Sequence, residues 1–338
     1  MKFINNIIIF VVDILKQKRD KFYINRDISY QFMRLFYRIS NGLLTHLMSI
    51  FFSGLKMKSP NNFSEGFIEL NKIEKSIIEK LKKEISLMRV FNKTEIKNKL
   101  YAENSENLYT YKFGDLKNTN IIRIDVLKKD LLANVEIAKL ATDKKWLNIA
   151  NGILNVPSKL IDINCWYTIP PKNHVQDEDD LINIYDAQIW HRDVDRLRDI
   201  KIFIYLSDVV NDEDGAFEII KNTHTINANF VNYHNKNNFR ILNKDLPEKF
   251  QSKKKKFFGT LGTNFVVDTR CLHRGSTVKK NYRLVLELYF SDCFFGKHLN
   301  YNIFYKPQLE KSWRSFKIWN EVISKYPENY KYIFLAKN

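Results

Sequence analysis

From Leu160 onward the chain breaks into short apolar runs closed off by Gly, Pro, Asn and Asp, and this punctuation limits its fold more than any other feature. Strand-like runs fall at 160–169, 183–193, 200–207, 216–220, 256–259, 264–268 and 282–290. The last of them, YRLVLELYF, alternates. Arg283, Val285 and Glu287 share one face of a strand, and Leu284, Leu286 and Leu288 share the other. Many short strands with turns between them build an antiparallel barrel or a jelly roll.

Upstream of these runs the periodicity is helical. Ile73, Ile77, Leu81, Ile85 and Met88 form an i, i+4 stripe with Lys and Glu on the other faces. Residues 126–153 read as two helices, VLKKDLLANVEIAKLA and KKWLNIANGIL, ended by Asn155-Val156-Pro157. Residues 1–62 read as a helical extension ending at the turn Ser59-Pro60-Asn61-Asn62. The tail, 296–338, carries an amphipathic helix with Trp313, Phe316 and either Ile318 or Trp319 facing inward. The expectation is an α+β protein: a jelly-roll core over 63–295 with N-terminal and C-terminal helices.

Net charge is +17, from 55 Lys and Arg against 38 Asp and Glu, which suits nucleic acid or an anionic membrane. The lysines, however, are scattered among Asn and Ile as a general bias. One dense block, Lys253–Lys256 followed by Phe257 and Phe258, interleaves cations with aromatics, and it reads as a solvated loop between strands. No nucleic-acid partner is expected. Cys165, Cys271 and Cys293 form no CxxC, which argues against a zinc knuckle or a disulfide framework and fits a reducing, cytoplasmic setting. The apolar runs near the N-terminus and at 42–55 fall short of the roughly 20 residues a spanning helix needs. Peripheral membrane contact through the N-terminal helices is the reading they leave open.

The chemistry sits among the strands. His191 and Asp193, in QIWHRDVDRL, share one face of an extended segment and converge on one point. Asp195 has the same parity and competes as a ligand. His273, in DTRCLHRG, lies ten residues before Arg283. Two imidazoles and one carboxylate hold a divalent iron on one face and leave the opposite face open. Arg283 opens an apolar strand and needs an anionic partner. An internal Asp or Glu would serve, and so would the carboxylate of a bound 2-oxo acid, gripped by the guanidinium fork. Lys201, Phe203 and Tyr205 share a strand face near Trp166, as pocket lining or as packing. Cys271 reads as packing.

These segments resemble the phytanoyl-CoA dioxygenase family of iron(II)- and 2-oxoglutarate-dependent oxygenases. The likeness spans roughly residues 64–292. It rests on WHRD at 190–193, YLSDV at 205–209, Gly215-Ala216-Phe217, Thr223-His224, His273-Arg274-Gly275 and Arg283. It implies a double-stranded β-helix (cupin-like) fold, with Fe(II) on His191, Asp193 and His273, and 2-oxoglutarate and O2 as co-substrates. It further implies Arg283 on the distal carboxylate of 2-oxoglutarate, aided by Ser276, with Gln188 and Lys201 as further candidate contacts. The chain departs from the pattern at Lys221-Asn222-Thr223-His224, where Gly-Ser-His is usual, and at Ala216, where proline is common. His224 is read as a structural loop residue. Asp193 keeps a carboxylate where halogenating relatives carry a small residue, so the implied reaction is hydroxylation of a small-molecule or lipid-like substrate at a C–H bond. The competing readings are a basic nucleic-acid-binding barrel and a non-catalytic β-helix binding protein, and a metal enzyme that desaturates or closes rings also fits.

Overall fold

The structure, a computed structural model, describes residues 63–91, 122–141, 143–154, 158–170, 186–193, 199–225 and 241–292. The expected extension 1–62, the tail from 296, the acidic loop at 177–180, Asp195 and Cys293 lie outside these residues.

Among the described residues ten strands form two antiparallel sheets, with helices against one of them. In chain order the strands are β1 (Phe67–Leu70), β2 (Val90–Phe91), β3 (Arg123–Val126), β4 (Ser158–Thr168), β5 (Asp199–Tyr205), β6 (Phe217–Ile220), β7 (Lys254–Phe257), β8 (Asn264–Val267), β9 (His273–Gly275) and β10 (Arg283–Asp292). The larger sheet runs β1-β8-β5-β10-β4-β3-β2, and the smaller runs β7-β6-β9.

The alternation seen in YRLVLELYF organises the packing. Leu284, Leu286 and Leu288 stand opposite Tyr167, Cys165 and Ile163 of β4, and Leu286, Leu288 and Phe290 stand opposite Ile204, Ile202 and Ile200 of β5. All of these are buried and belong to one apolar cluster. Four helices close over that face: α1 (Lys75–Ser86), α2 (Lys128–Ala133), α3 (Val135–Ala141) and α4 (Lys144–Leu154). They contribute Ile78, Leu81, Ile85, Leu131, Ile137, Trp146 and Leu147 to it. Each such side chain, taken fully out of water, contributes roughly 1.5–3 kcal/mol. The opposite face of the larger sheet carries Trp166, Phe203, Tyr205, Phe265 and Val285, which pack on Phe217, Ile219 and Phe257 of the smaller sheet. The two sheets thus enclose an aromatic interior. Among the described residues no helix is long and apolar enough to cross a membrane.

Three local expectations are corrected. The buried row of α1 is Ile78, Leu81 and Ile85, while Ile77 is 44% exposed. An i, i+4 row drifts by about 40° per step around a helix, so Ile77 falls at the edge of the face centred on Leu81, Ile85 and Ile78. Residues 126–141 make two helices. Asn134 has an extended backbone that ends α2, and its side chain accepts from the N–H groups of Glu136 and Ile137, both at 3.0 Å, to start α3. The lysine block is the edge strand β7, not a loop. Lys254 donates to Asn243 at 2.6 Å, Lys255 pairs with Glu69 at 2.6 Å, and Lys256 pairs with Asp212. Lysines along an open edge discourage pairing with another chain.

Candidate metal centre

His191 and His273 are directly opposed. The N–H of each donates to the carbonyl of the other, at 3.0 and 2.9 Å, so the two form one antiparallel bridge. Side chains of such a pair stand together on one side of the ladder. Their rings lie 4.3 Å apart between centroids, tilted by 53°. The strand expected at 183–193 does not form over the described part of that range. Asp186–Gln188 is a 3-10 turn, and Trp190 and His191 make isolated bridges to Ile241 and His273. Two residues on, the N–H of Asp193 donates to the Thr269 carbonyl at 2.9 Å. The backbone therefore stays alongside the 269–273 segment, and Asp193 returns to the histidine side. Its carboxylate lies 4.0 Å from His191 Nε2 and 3.7 Å from His273 Nε2. One donor atom from each of the three residues falls within 4.8 Å of the others.

The other ring nitrogens decide what these donors are. His191 Nδ1 sits 2.7 Å from the Ile189 carbonyl, and His273 Nδ1 sits 2.9 Å from the Cys271 carbonyl. A carbonyl oxygen only accepts, so in the neutral rings Nδ1 carries the proton and Nε2 keeps its lone pair. Two nitrogen lone pairs and a carboxylate then face a common space. A divalent cation between them would engage all three donors at once. The donor set and its hydrogen bonding fit a metal ion.

Lys201 of β5 meets the same carboxylate, donating to Asp193 Oδ2 at 2.8 Å. Its ammonium also faces Glu287 Oε2 of β10 at 3.6 Å and lies 4.9 Å from the centre of the Tyr289 ring. Burial works to raise the Asp193 carboxyl. The Lys201 ammonium, and then the two imidazoles, outweigh burial and hold that carboxyl well below the usual carboxylate range. Burial likewise works to lower Lys201, and the charges of Asp193 and Glu287 outweigh it, so its ammonium is held above the ordinary lysine range. Glu287 is 5% exposed and accepts from Asn164 Nδ2 at 2.8 Å. Glu287 was missed as a site residue. The signal was present in the sequence, since a glutamate on an apolar strand needs a partner as much as Arg283 does.

Arg283 is 5% exposed. It donates through Nη1 to the Gly215 carbonyl, and through Nη2 to Thr168 Oγ1 at 3.3 Å. Its guanidinium lies against Gly275, where a Cβ would come within 2.6 Å of Nη2. Gln188 is 3% exposed and accepts from Thr277 at 3.4 Å, and its Nε2 is buried with no hydrogen-bond partner among the described residues. Ser276 donates its hydroxyl to Glu218 Oε1 at 2.7 Å, beside the ion pair of Arg274 with Glu218 at 2.9 Å. The structure thus brings His191, Asp193, His273 and Lys201 together, sets the guanidinium of Arg283, the first residue of β10, beside Gly275 of β9, and takes Ser276 to Glu218. His224 faces Cys271, with Nδ1 3.3 Å from Sγ. Burial pushes the Cys271 thiol up to about 12, so it stays a protonated packing group.

Asp199, at the start of β5, is 1% exposed. Its Oδ2 accepts from the Tyr289 hydroxyl, and Oδ1 has no hydrogen-bond partner among the described residues. Burial, aided by the charge of Asp268 and opposed by the Tyr289 hydrogen bond, pushes its carboxyl up to about 7. In an unfolded chain an aspartate ionises near about pH 4. Between those values the folded chain holds a proton that the unfolded chain has lost. Stability therefore falls as pH rises through the window from about 4 to about 7, then levels. Asp199→Asn should melt several degrees above the unsubstituted chain at pH 8 and close to it at pH 4. Equal melting temperatures at pH 8 would contradict this.

No protein-family model matches the chain, and no curated protein matches it. The resemblance to the phytanoyl-CoA dioxygenase family therefore stands on the motifs alone. Among solved structures, the chain is similar to HygX from Streptomyces hygroscopicus with nickel and 2-oxoglutarate bound, at 15% identity and a TM-score of 0.48, over 70% of this chain and 86% of that one. It is also similar to SnoN, a non-heme alpha-ketoglutarate-dependent epimerase from nogalamycin biosynthesis, at 13% identity and a TM-score of 0.46, over 71% and 84% of the two chains. AviO1 from Streptomyces viridochromogenes Tue57 follows at 15% identity and a TM-score of 0.38, over 68% and 91%.

Proposed function

We infer that the protein is an Fe(II)- and 2-oxoglutarate-dependent oxygenase of double-stranded β-helix fold, related to the phytanoyl-CoA dioxygenases, which hydroxylates a small-molecule substrate at a C–H bond. The observation that carries this reading is the meeting of His191, His273 and Asp193, one donor atom from each within 4.8 Å of the others, with both Nε2 atoms within 4.0 Å of the carboxylate. Two imidazoles and one carboxylate on one side of a metal form the ligand set of oxygen-activating iron sites. When bound, iron and its 2-oxo acid would supply the oxidising power, consuming O2 and releasing succinate and carbon dioxide.

The chain's own task is placement. The backbone bridge between His191 and His273 fixes both rings, and the carbonyls of Ile189 and Cys271 fix their tautomers. Gly275 follows His273 by two residues on β9, about 7 Å along a strand, and the Arg283 guanidinium rests against it. A five-carbon dicarboxylate held at the histidines by one end would reach that guanidinium with the other. Gln188 supports an anionic ligand as well, because its buried amide nitrogen has a hydrogen still to donate. Ser276 would contribute only by turning its hydroxyl away from Glu218. The aromatic interior keeps water from one side of the centre, where the Phe217 ring stacks on His273 at 5.6 Å and 18°.

The test is an anaerobic titration of the protein with Fe(II) and then 2-oxoglutarate. A weak visible charge-transfer band should appear only with both present, and succinate release under air should require both. A chain that binds Fe(II) yet gives no band with 2-oxoglutarate would overturn the co-substrate assignment.

A further inference from the structure

We propose that Lys201 is the internal counter-ion of the metal-free centre, and that metal binding hands its ammonium from Asp193 to Glu287. This rests on the metal reading above and adds a role that the ligand set alone does not require. Lys201 faces two buried carboxylates at unequal distances, 2.8 Å to Asp193 and 3.6 Å to Glu287. The nearer one belongs to the candidate ligand set. The farther one is already anchored, since Glu287 Oε1 accepts from Asn164 at 2.8 Å and Oε2 is turned toward the ammonium. A divalent ion entering between the histidines and Asp193 repels the ammonium and competes for the same carboxylate. Glu287 offers the ammonium a second acceptor a fraction of an ångström beyond hydrogen-bond reach. The Tyr289 ring, 4.9 Å from Nζ, keeps a π-face beside it. The lysine stem is long and flexible enough for the shift.

Charge count gives this arrangement a purpose. Asp193, Glu287 and Lys201 together carry one net negative charge. A buried Asp193 with no cation at all would be costly, and Lys201 lets the fold form before the metal arrives. A divalent ion then makes the same group net positive, which favours a dianionic ligand after the metal and not before it.

The experiment uses the full chain, with Mn(II) as the probe. Melting is followed without and with Mn(II), and affinity is measured by calorimetry. Lys201→Met should lower the metal-free melting temperature by several degrees and tighten Mn(II) on the order of tenfold, because a competing charge is removed. Glu287→Gln, which keeps the shape and removes the second negative charge, should weaken Mn(II) on the order of tenfold. Weaker or unchanged Mn(II) binding in Lys201→Met would overturn the proposal, and so would unchanged binding in Glu287→Gln. In either case the metal reading stands as long as the unsubstituted chain binds Mn(II) and Asp193→Ala does not. An unsubstituted chain that binds no Mn(II) overturns both.

Discussion

His273→Ala should lower divalent-metal affinity by more than about 100-fold and reduce 2-oxoglutarate-dependent succinate release to background. Loss of a group that merely orients a metal ligand already costs roughly 10–100-fold, and here the ligand itself is removed. The bridge to His191 is made by backbone atoms, so alanine keeps it and the strand pairing survives. The metal-free melting temperature should fall modestly, by the lost packing of the ring on Phe217 and His191 and its lost hydrogen bond to the Cys271 carbonyl. His224→Ala is the control. That imidazole is engaged with Cys271, so its removal should leave Mn(II) affinity unchanged. Calorimetry with Mn(II) separates the two variants. Equal affinity in His273→Ala and the unsubstituted chain would remove His273 from the centre.

The second large effect is expected at Arg283. Arg283→Ala should raise the KM for 2-oxoglutarate by roughly a hundredfold or more, the scale for breaking a buried, charged hydrogen-bonded pair. Mn(II) affinity should change little, because the guanidinium lies at Gly275 and Thr168 and not on the three donors. Arg283→Lys keeps the charge and loses the fork, so its KM should fall between the two. Gly275→Ala offers a check that leaves the arginine in place, since the added methyl would displace the guanidinium. It should mimic Arg283→Ala in KM while the metal affinity holds. A KM unchanged in both Arg283→Ala and Gly275→Ala would make Arg283 a structural residue bound to Gly215 and Thr168.

The sheet faces were legible in the sequence wherever a strand is long and two-sided. Leu284, Leu286 and Leu288 against Arg283, Val285 and Glu287 is a period-2 pattern that burial on both sides enforces. The joints were less legible. Asn134 ends one helix and starts the next through its own side chain, and a periodicity count passes over it. The lysines of β7 belong to a strand because ladder bonds and acidic partners distant in sequence receive them, among them Glu69 and Asp212. The site was legible in parity and incomplete in partnership. His191 and Asp193 meet as their spacing requires, although no long strand carries them. Their meeting with His273 depends on a backbone bridge spanning more than eighty residues of sequence. Lys201 was singled out as a polar residue on the right strand face, but its contact with Asp193 depends on the register that brings β5 beside β10 and under the 191–193 segment.

The most direct test is a crystal of the full chain grown with Mn(II), with diffraction collected to show anomalous scattering. The proposed centre predicts one strong anomalous peak at coordination distance from His191 Nε2, His273 Nε2 and the Asp193 carboxylate together. A peak elsewhere, or no peak with the three side chains ordered, would contradict it.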